Sequence, residues 1–312
     1  MLALIVRRLL TFIPMLFVLA LITFVLSYYG PGDPVRLIMG ENWSSDEVYQ
    51  SLRSEYGLDR PLLVQFGDYL LHAAQGDFGR SYIQRVSVGE LIGRALPVSA
   101  QLGLAAIILI AVLGIGLGIV AALWHHRWPD AAIGFLGVLA HSIPAFVLAP
   151  IVLVTLVLKL KLIATPTGWH GFFSVQTFIA ASIIAAGPLL GVIRQTRTSV
   201  ADVLSEDFVR TARAKGLTEA RIIGIHVMRN ALAPVTTSLG LTFGYLLGGS
   251  IFVESAFSIP GLGQLFFSAI RTSDYPLLTG ATIVSAFWIM LMSLVVDVLY
   301  GLFDPRVRLA NG

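Results

Sequence analysis

The chain has 312 residues, 56 % of them hydrophobic, with 21 Lys and Arg, 18 Asp and Glu and a net charge of +3. Charged residues make up only 12 %, about half the share of a soluble domain, and none falls in the stretches 9–32, 95–126, 131–158, 162–193, 230–253 and 275–296. A helix needs about 20 apolar residues to cross the hydrocarbon core, so this is a polytopic membrane protein, which excludes a soluble enzyme, a DNA-binding protein and a secreted domain.

The N-terminus carries Arg7-Arg8 before an apolar run that reaches Tyr28-Tyr29. That run exceeds the 7–15 residues of a signal-peptide core and lacks a small-x-small cleavage site, so it reads as a retained first span. Spans are expected at about 9–29, 98–123, 131–157, 173–193, 231–253 and 277–303. Short loops with the N-terminus inside would hold twelve basic residues, against only Lys159, Lys161 and Arg271 outside. The positive-inside rule therefore expects both termini in the cytoplasm.

Between the first two spans, 30–97 opens on Pro31-Gly32-Asp33-Pro34, a turn-rich exit from the membrane. Ser44-x-x-Glu47 reads as a capping box and Gly57 as a stop, which predicts a short helix. Pro61 in a first turn, with Leu62, Leu63, Phe66, Tyr69 and Leu70 at helical spacing, predicts a second helix that Gly76 ends. The segment is either a structured cap that only shields the bundle or a docking surface for a ligand.

Inside the membrane, Pro144 and Pro150 in the third span and Gly187-Pro188 in the fourth are expected to kink their helices, and the freed carbonyls must then face protein or water. Gly114/Gly118 and the four-residue repeat Gly240, Gly244, Gly248 predict close helix packing. Between spans four and five, Ser205 is placed as the cap of a helix with Glu206 and Asp207 in its first turn and Arg213 and Lys215 in its last. Gly216 is the natural residue just beyond its end, and Thr218-Glu219 starts a second helix to about Arg229. The basic groups of this helix–turn–helix suit lipid headgroups or a partner protein.

The chain has no GxxxxGK[ST] loop to hold ATP and no H-E-x-x-H metal motif. It has no cysteine, hence no disulfide, thiolate metal site or thiol nucleophile. His141-Ser142 raises an intramembrane hydrolase as a rival, but sequence neighbours point to different helix faces and no GxSxG elbow exists. Asp297 is the acid of the last span, near its cytoplasmic end, with Arg306 or Arg308 as neighbours. The middles of the spans lack Asp, Glu, Lys and Arg, which argues against the other rival, a self-sufficient secondary transporter.

Several separated stretches resemble the permease subunit of a peptide-type ABC importer, the dipeptide/oligopeptide/nickel group. They are Arg7-Arg8-Leu9-Leu10, Pro31-Gly32-Asp33-Pro34, Tyr56-Gly57-Leu58-Asp59-Arg60-Pro61-Leu62 and Gly76-Asp77-Phe78-Gly79. Asp207-Phe208-Val209-Arg210-Thr211-Ala212-Arg213-Ala214-Lys215-Gly216-Leu217, Pro260-Gly261-Leu262-Gly263, Asp274-Tyr275-Pro276 and Asp304-Pro305-Arg306 continue the pattern. Where the broader importer loop reads E-A-A, this chain has Arg210, Thr211 and Ala212, and Arg229 replaces its closing Pro. The role of that leading glutamate is therefore not carried over to Arg210.

The resemblance implies an all-α membrane protein with six spans, a type I ABC importer permease fold and an external helical cap. Its expected divisions are 1–29 (first span), 30–97 (external), 98–303 (a five-span core with the coupling loop 194–229) and 304–312 (a cytoplasmic tail). It implies import of di- or oligopeptides across a prokaryotic cytoplasmic membrane; nickel, glutathione or another small solute is the alternative. It also implies a second homologous permease, two ABC ATPases and an extracytoplasmic binding protein as partners, in a lipid bilayer and without nucleic acid. The chain itself would be no enzyme and hold no cofactor, with ATP and Mg on the ATPases. Arg210, Thr211, Ala212, Arg213, Lys215, Gly216 and Leu217 would form the ATPase-coupling loop, Ala212 permitting close approach and Gly216 the turn. Pro144 and Pro188 would kink helices near the pathway.

Overall fold

Helices carry almost all the regular structure, because an apolar stretch in lipid satisfies its backbone groups only by bonding within itself. The computed structural model describes residues 2–30, 33–39, 46–55, 57–162 and 168–303. In chain order come α1 (Leu2–Tyr28), α2 (Pro34–Met39), α3 (Asp46–Glu55), α4 (Leu62–Ala74) and α5 (Val88–Leu123). Then follow α6 (Trp128–Ser142), α7 (Ala145–Leu153) with a wider π turn over Val154–Lys159, and α8 (Val175–Leu204). The remainder is α9 (Asp207–Ala214), α10 (Glu219–Arg221) with a π turn over Ile222–Val227, α11 (Met228–Gly249), α12 (Ile251–Ala256), α13 (Leu262–Thr272) and α14 (Tyr275–Phe303).

Among the described residues, four helices are long and apolar enough to cross a membrane: Ile5–Tyr28, Val88–Leu123, Val175–Leu204 and Tyr275–Val298. The pair Trp128–Ser142 and Ala145–Lys159, bent by 94°, makes a fifth where it is counted as one span. Helix α11, which covers most of the expected fifth span, is not among them. The helix that contains the expected second span starts before it: α5 begins at Val88 and runs through Pro97, so the division at 97/98 falls inside a helix.

The chain forms two compact units. One comprises residues 6–99 and 260–288. In it Phe66 of α4 is buried against Phe17 and Phe24 of α1, with ring centroids 5.7 and 5.3 Å apart, and Tyr69 lies 5.8 Å from Phe24. Leu63, expected on that apolar face, points outward and is 79 % exposed. Pro61 stands as the N-cap of α4 rather than in its first turn. Gly57 and Gly76 end α3 and α4 at φ +64° and +83°, as turn glycines do; Ser44 lies outside the described residues. Val88, Ile92, Ala95, Leu262, Ala269 and Leu277 form the unit's core.

The other unit comprises 1–5, 100–259 and 289–312. Its centre is α8, whose buried side chains meet glycines on neighbouring helices. A Cβ at Gly114 would lie 2.7 Å from Val192, at Gly118 2.5 Å from Thr196, and at Gly137 2.7 Å from Leu190. The Gly114/Gly118 pair thus lets α5 and α8 touch along their backbones. Gly240 of α11 faces Val296 of α14; the surroundings of Gly244 and Gly248 lie outside the described residues.

Candidate functional site

The polar helix–turn–helix at 205–229 is built by local chemistry. Glu206, extended at φ −70° and ψ 149°, precedes α9. Ser205, expected to cap that helix, instead closes α8 and donates its hydroxyl to the Asp202 carbonyl at 2.7 Å. At the far end Gly216 sits at φ +77°. Its N–H donates to Arg213 O at 2.9 Å and the Leu217 N–H donates to Ala212 O at 3.3 Å. This is a Schellman termination, which requires a left-handed residue at the glycine position. Thr218 then starts the second helix, as expected, but that helix does not stop near Arg229: it runs on through the π turn into α11.

Which face of α9 is free differs from expectation. Val209 and Ala212, one turn apart, are buried with Ala122, Val200, Ile222, Val227 and Ala231 of the same chain. Ala212 therefore serves the attachment of α9 to its own bundle and is not available for close approach by a partner. Phe208, Arg210, Thr211 and Lys215 lie on the exposed side, Phe208 with 41 % of its surface open. Arg213 reaches across the turn to Glu219, its Nε donating to Oε1 at 2.7 Å and Nη2 to Oε2 at 3.3 Å. That guanidinium holds the Glu219 carboxyl below its ordinary range. Arg213 is thus a clamp within the hairpin, while Arg210, 3.4 Å from the exposed Asp207 carboxylate, and Lys215 point outward.

The segment between the first two spans is pinned by carboxylates. Asp33 accepts the Val35 N–H at 2.9 Å and the Tyr49 hydroxyl at 2.6 Å, and donating to that carboxylate raises the Tyr49 phenol above its ordinary value. Asp274 is fully buried; it accepts the hydroxyl of Ser81 and, at 3.1 Å, the N–H of Tyr82. Gly280 of α14 faces Val88 and Phe78, with a Cβ only 2.6 and 3.1 Å from them. The Gly76–Gly79 and Asp274–Pro276 stretches therefore meet in one unit, although nothing in either alone names the other.

In the third span the expected kink at Pro144 is a break. Pro144 has no N–H and drives Ile143 to φ −99° and ψ 113°, which ends α6 and lets α7 restart at a steep angle. By contrast α8 runs unbroken through Pro188. His141 donates Nδ1 to the Gly187 carbonyl at 2.7 Å, the protonated nitrogen following from the carbonyl's being an acceptor only. Ser142 donates to the Val138 carbonyl at 2.7 Å. Each polar group is committed to a different backbone carbonyl, which leaves no Ser–His pair for hydrolysis. Asp297 is half-buried on α14; Arg306 and Arg308 lie outside the described residues.

Two features were missed by sequence reasoning. Glu254, wholly buried on α12, accepts the Ser250 hydroxyl at 2.8 Å; an acid placed directly after the charge-free stretch 230–253 was the available signal. Asp130 receives Arg197 in a two-pronged pair at 2.6 and 2.7 Å. With the partners 67 positions apart, no spacing could have announced it.

The comparisons with known proteins agree with this architecture. Residues 114–309 match the family described as "Binding-protein-dependent transport system inner membrane component", and residues 1–103 match the N-terminal membrane component of the same systems. The chain belongs to this family. It is the permease subunit of a binding-protein-dependent ABC importer. Among relatives, the glutathione transport system permease protein GsiC of Salmonella choleraesuis is 40 % identical over 99 % of both chains. That of Escherichia coli K12 is 38 % identical over the same shares. In fold, the permease resembles a chain from the inward-facing MetNI methionine ABC transporter, with TM-score 0.57 and 15 % identity over 69 % of this chain and 96 % of that one.

Proposed function

We propose that this permease imports di- or oligopeptides, glutathione-like tripeptides among them, delivered by an extracytoplasmic binding protein and driven by two ATPases that bind the hairpin 205–229. The observation that carries the reading is full-length identity of 40 % to a glutathione permease. In support, the chain has no nucleotide loop of its own, while α9 presents an aromatic side chain and two cations on a face its own bundle leaves open. Nickel or another small solute is the alternative cargo. A second, homologous permease would complete the path, and Pro144 and Pro188 would flank it. Both termini would lie in the cytoplasm, in keeping with the basic residues of the short loops.

Reconstitution with the cognate permease, ATPases and binding protein is expected to give ATP-dependent uptake of labelled glutathione or dipeptide, and none when any subunit is omitted. The double variant Phe208→Asp/Arg210→Glu should lower uptake and substrate-stimulated ATPase activity tenfold or more, the loss typical of an interface anchor. Normal uptake and stimulation in that variant would refute docking at α9. Uptake by the isolated chain on an ion gradient would refute the energy source.

A further inference from the structure

In the second unit the C-terminal end of α5, the N-terminal end of α6 and the C-terminal half of α8 line an open cavity of about 710 Å³. Its apolar lining is Ala121, Ala131, Ile133, Leu190 and Ile193, of which Ala121, Leu190 and Ile193 are buried. Its mouth is cationic, with Arg127, Arg194 and Arg197 around the single carboxylate Asp130. We propose that this cavity seats the phosphate headgroup of an anionic phospholipid, with the first methylenes of its acyl chains along the apolar wall.

The charge arrangement supports this assignment. Asp130 is already consumed inside the protein: it takes both prongs of Arg197 and the His126 N–H at 3.0 Å. That last bond holds His126 at φ +60° and shapes the turn that carries Arg127. The side chains of Arg127 and Arg194 are exposed and make no hydrogen bond or ion pair among the described residues. Three guanidiniums against one carboxylate leave a site with an excess of two positive charges, which suits a phosphate group. The depth is marked by Trp124 and Trp128, 44 and 81 % exposed, since tryptophan concentrates where headgroups meet hydrocarbon. A soluble phosphate would use the mouth but gain nothing from the apolar wall, which is what favours a lipid. Basic pockets between helices at this depth are suited to anionic headgroups.

The test uses the full-length chain in detergent, titrated with phosphatidylglycerol or phosphatidylcholine of identical acyl chains and read by native mass spectrometry. Each cation near an anionic headgroup contributes roughly fivefold in binding. Wild-type protein should therefore prefer phosphatidylglycerol by about 25-fold, and Arg127→Gln/Arg194→Gln should bring that close to parity. Arg127→Lys/Arg194→Lys should keep most of it, and Lys159→Gln/Lys161→Gln, which removes two distant charges, should keep all of it. No preference in the wild type, a preference that survives the Gln pair, or an equal loss at the lysines would overturn the proposal. So would displacement of the lipid by the same concentration of inorganic phosphate. As a check independent of the Gln pair's folding, Arg194→Cys gives this cysteine-free chain one thiol. Phosphatidylglycerol should shield it from a soluble maleimide; shielding only on adding the ATPase subunits would assign the cavity to a protein partner and overturn the lipid assignment.

Discussion

Replacing Gly216 separates two explanations of the hairpin turn, room and backbone conformation. Nothing lies within 4 Å of a Cβ built on Gly216, while its φ is +77°. Space is therefore no obstacle, and any cost must come from the left-handed backbone, about 1–2 kcal/mol for an ordinary L-residue. At 1.4 kcal/mol per tenfold, Gly216→Ala should open the turn roughly 5- to 30-fold more often. Gly216→Asn should stay near wild type, because asparagine tolerates this region, and Gly216→Val should be the worst, because a β-branched residue there is a true outlier. The Leu217 amide, bonded to Ala212 O at 3.3 Å, reports the opening by hydrogen exchange. Exchange should accelerate in the order Gly and Asn, then Ala, then Val, and ATP-driven uptake should fall in the same order. Equal protection in all four proteins, or loss that follows side-chain volume with Asn as damaging as Val, would refute the conformational argument.

The remaining predictions concern other parts of the same chain. Asp274→Ala removes the acceptor of the buried Ser81 hydroxyl and of the half-buried Tyr82 N–H, at about 1–3 kcal/mol. Thermal unfolding should show a lower midpoint, and limited proteolysis should cut the 76–88 turn faster, with Asp274→Asn less affected. Gly118→Val collides with Thr196, whereas Gly116 has no neighbour within 4 Å of a Cβ. The first should lower the midpoint through about 1–3 kcal/mol of overpacking and Gly116→Ala should leave it unchanged. Arg213 keeps the Glu219 carboxyl below its ordinary value, so the ion pair supports the hairpin above the free-Glu pKa of about 4.3 and is lost as pH falls through the lowered value. Leu217 protection, corrected for intrinsic exchange, should hold from pH 8 to 5 and decline at lower pH; in Glu219→Gln this decline should be absent.

Much of the architecture is local and was therefore legible in sequence. Charge-free stretches of 20 residues or more become helices because a backbone in lipid must bond to itself, and α1, α5, α8 and α14 lie where those stretches were found. Gly57, Gly76 and Gly216 marked helix ends because a positive φ is a property of one residue and its immediate neighbours. Thr218-Glu219 marked the start of the next helix for the same reason. The family pattern likewise rests on short stretches in fixed order.

Tertiary structure decided whatever depends on which faces meet. In an all-apolar helix no stripe distinguishes the protein-facing side from the lipid-facing side, so composition alone did not bring Gly118 against Thr196 or Gly137 against Leu190. Asp274 finds Ser81 across 193 residues, and Arg197 finds Asp130 across 67. Such partners are selected only once distant helices dock, because a polar group removed from water must take the donor or acceptor that the docked neighbour presents. The broken third span belongs to both levels. Pro144 forbids a straight helix by its own chemistry, and the packing around α7 and α12, where Phe146 lies 5.7 Å from Phe252, goes with a turn of 94°.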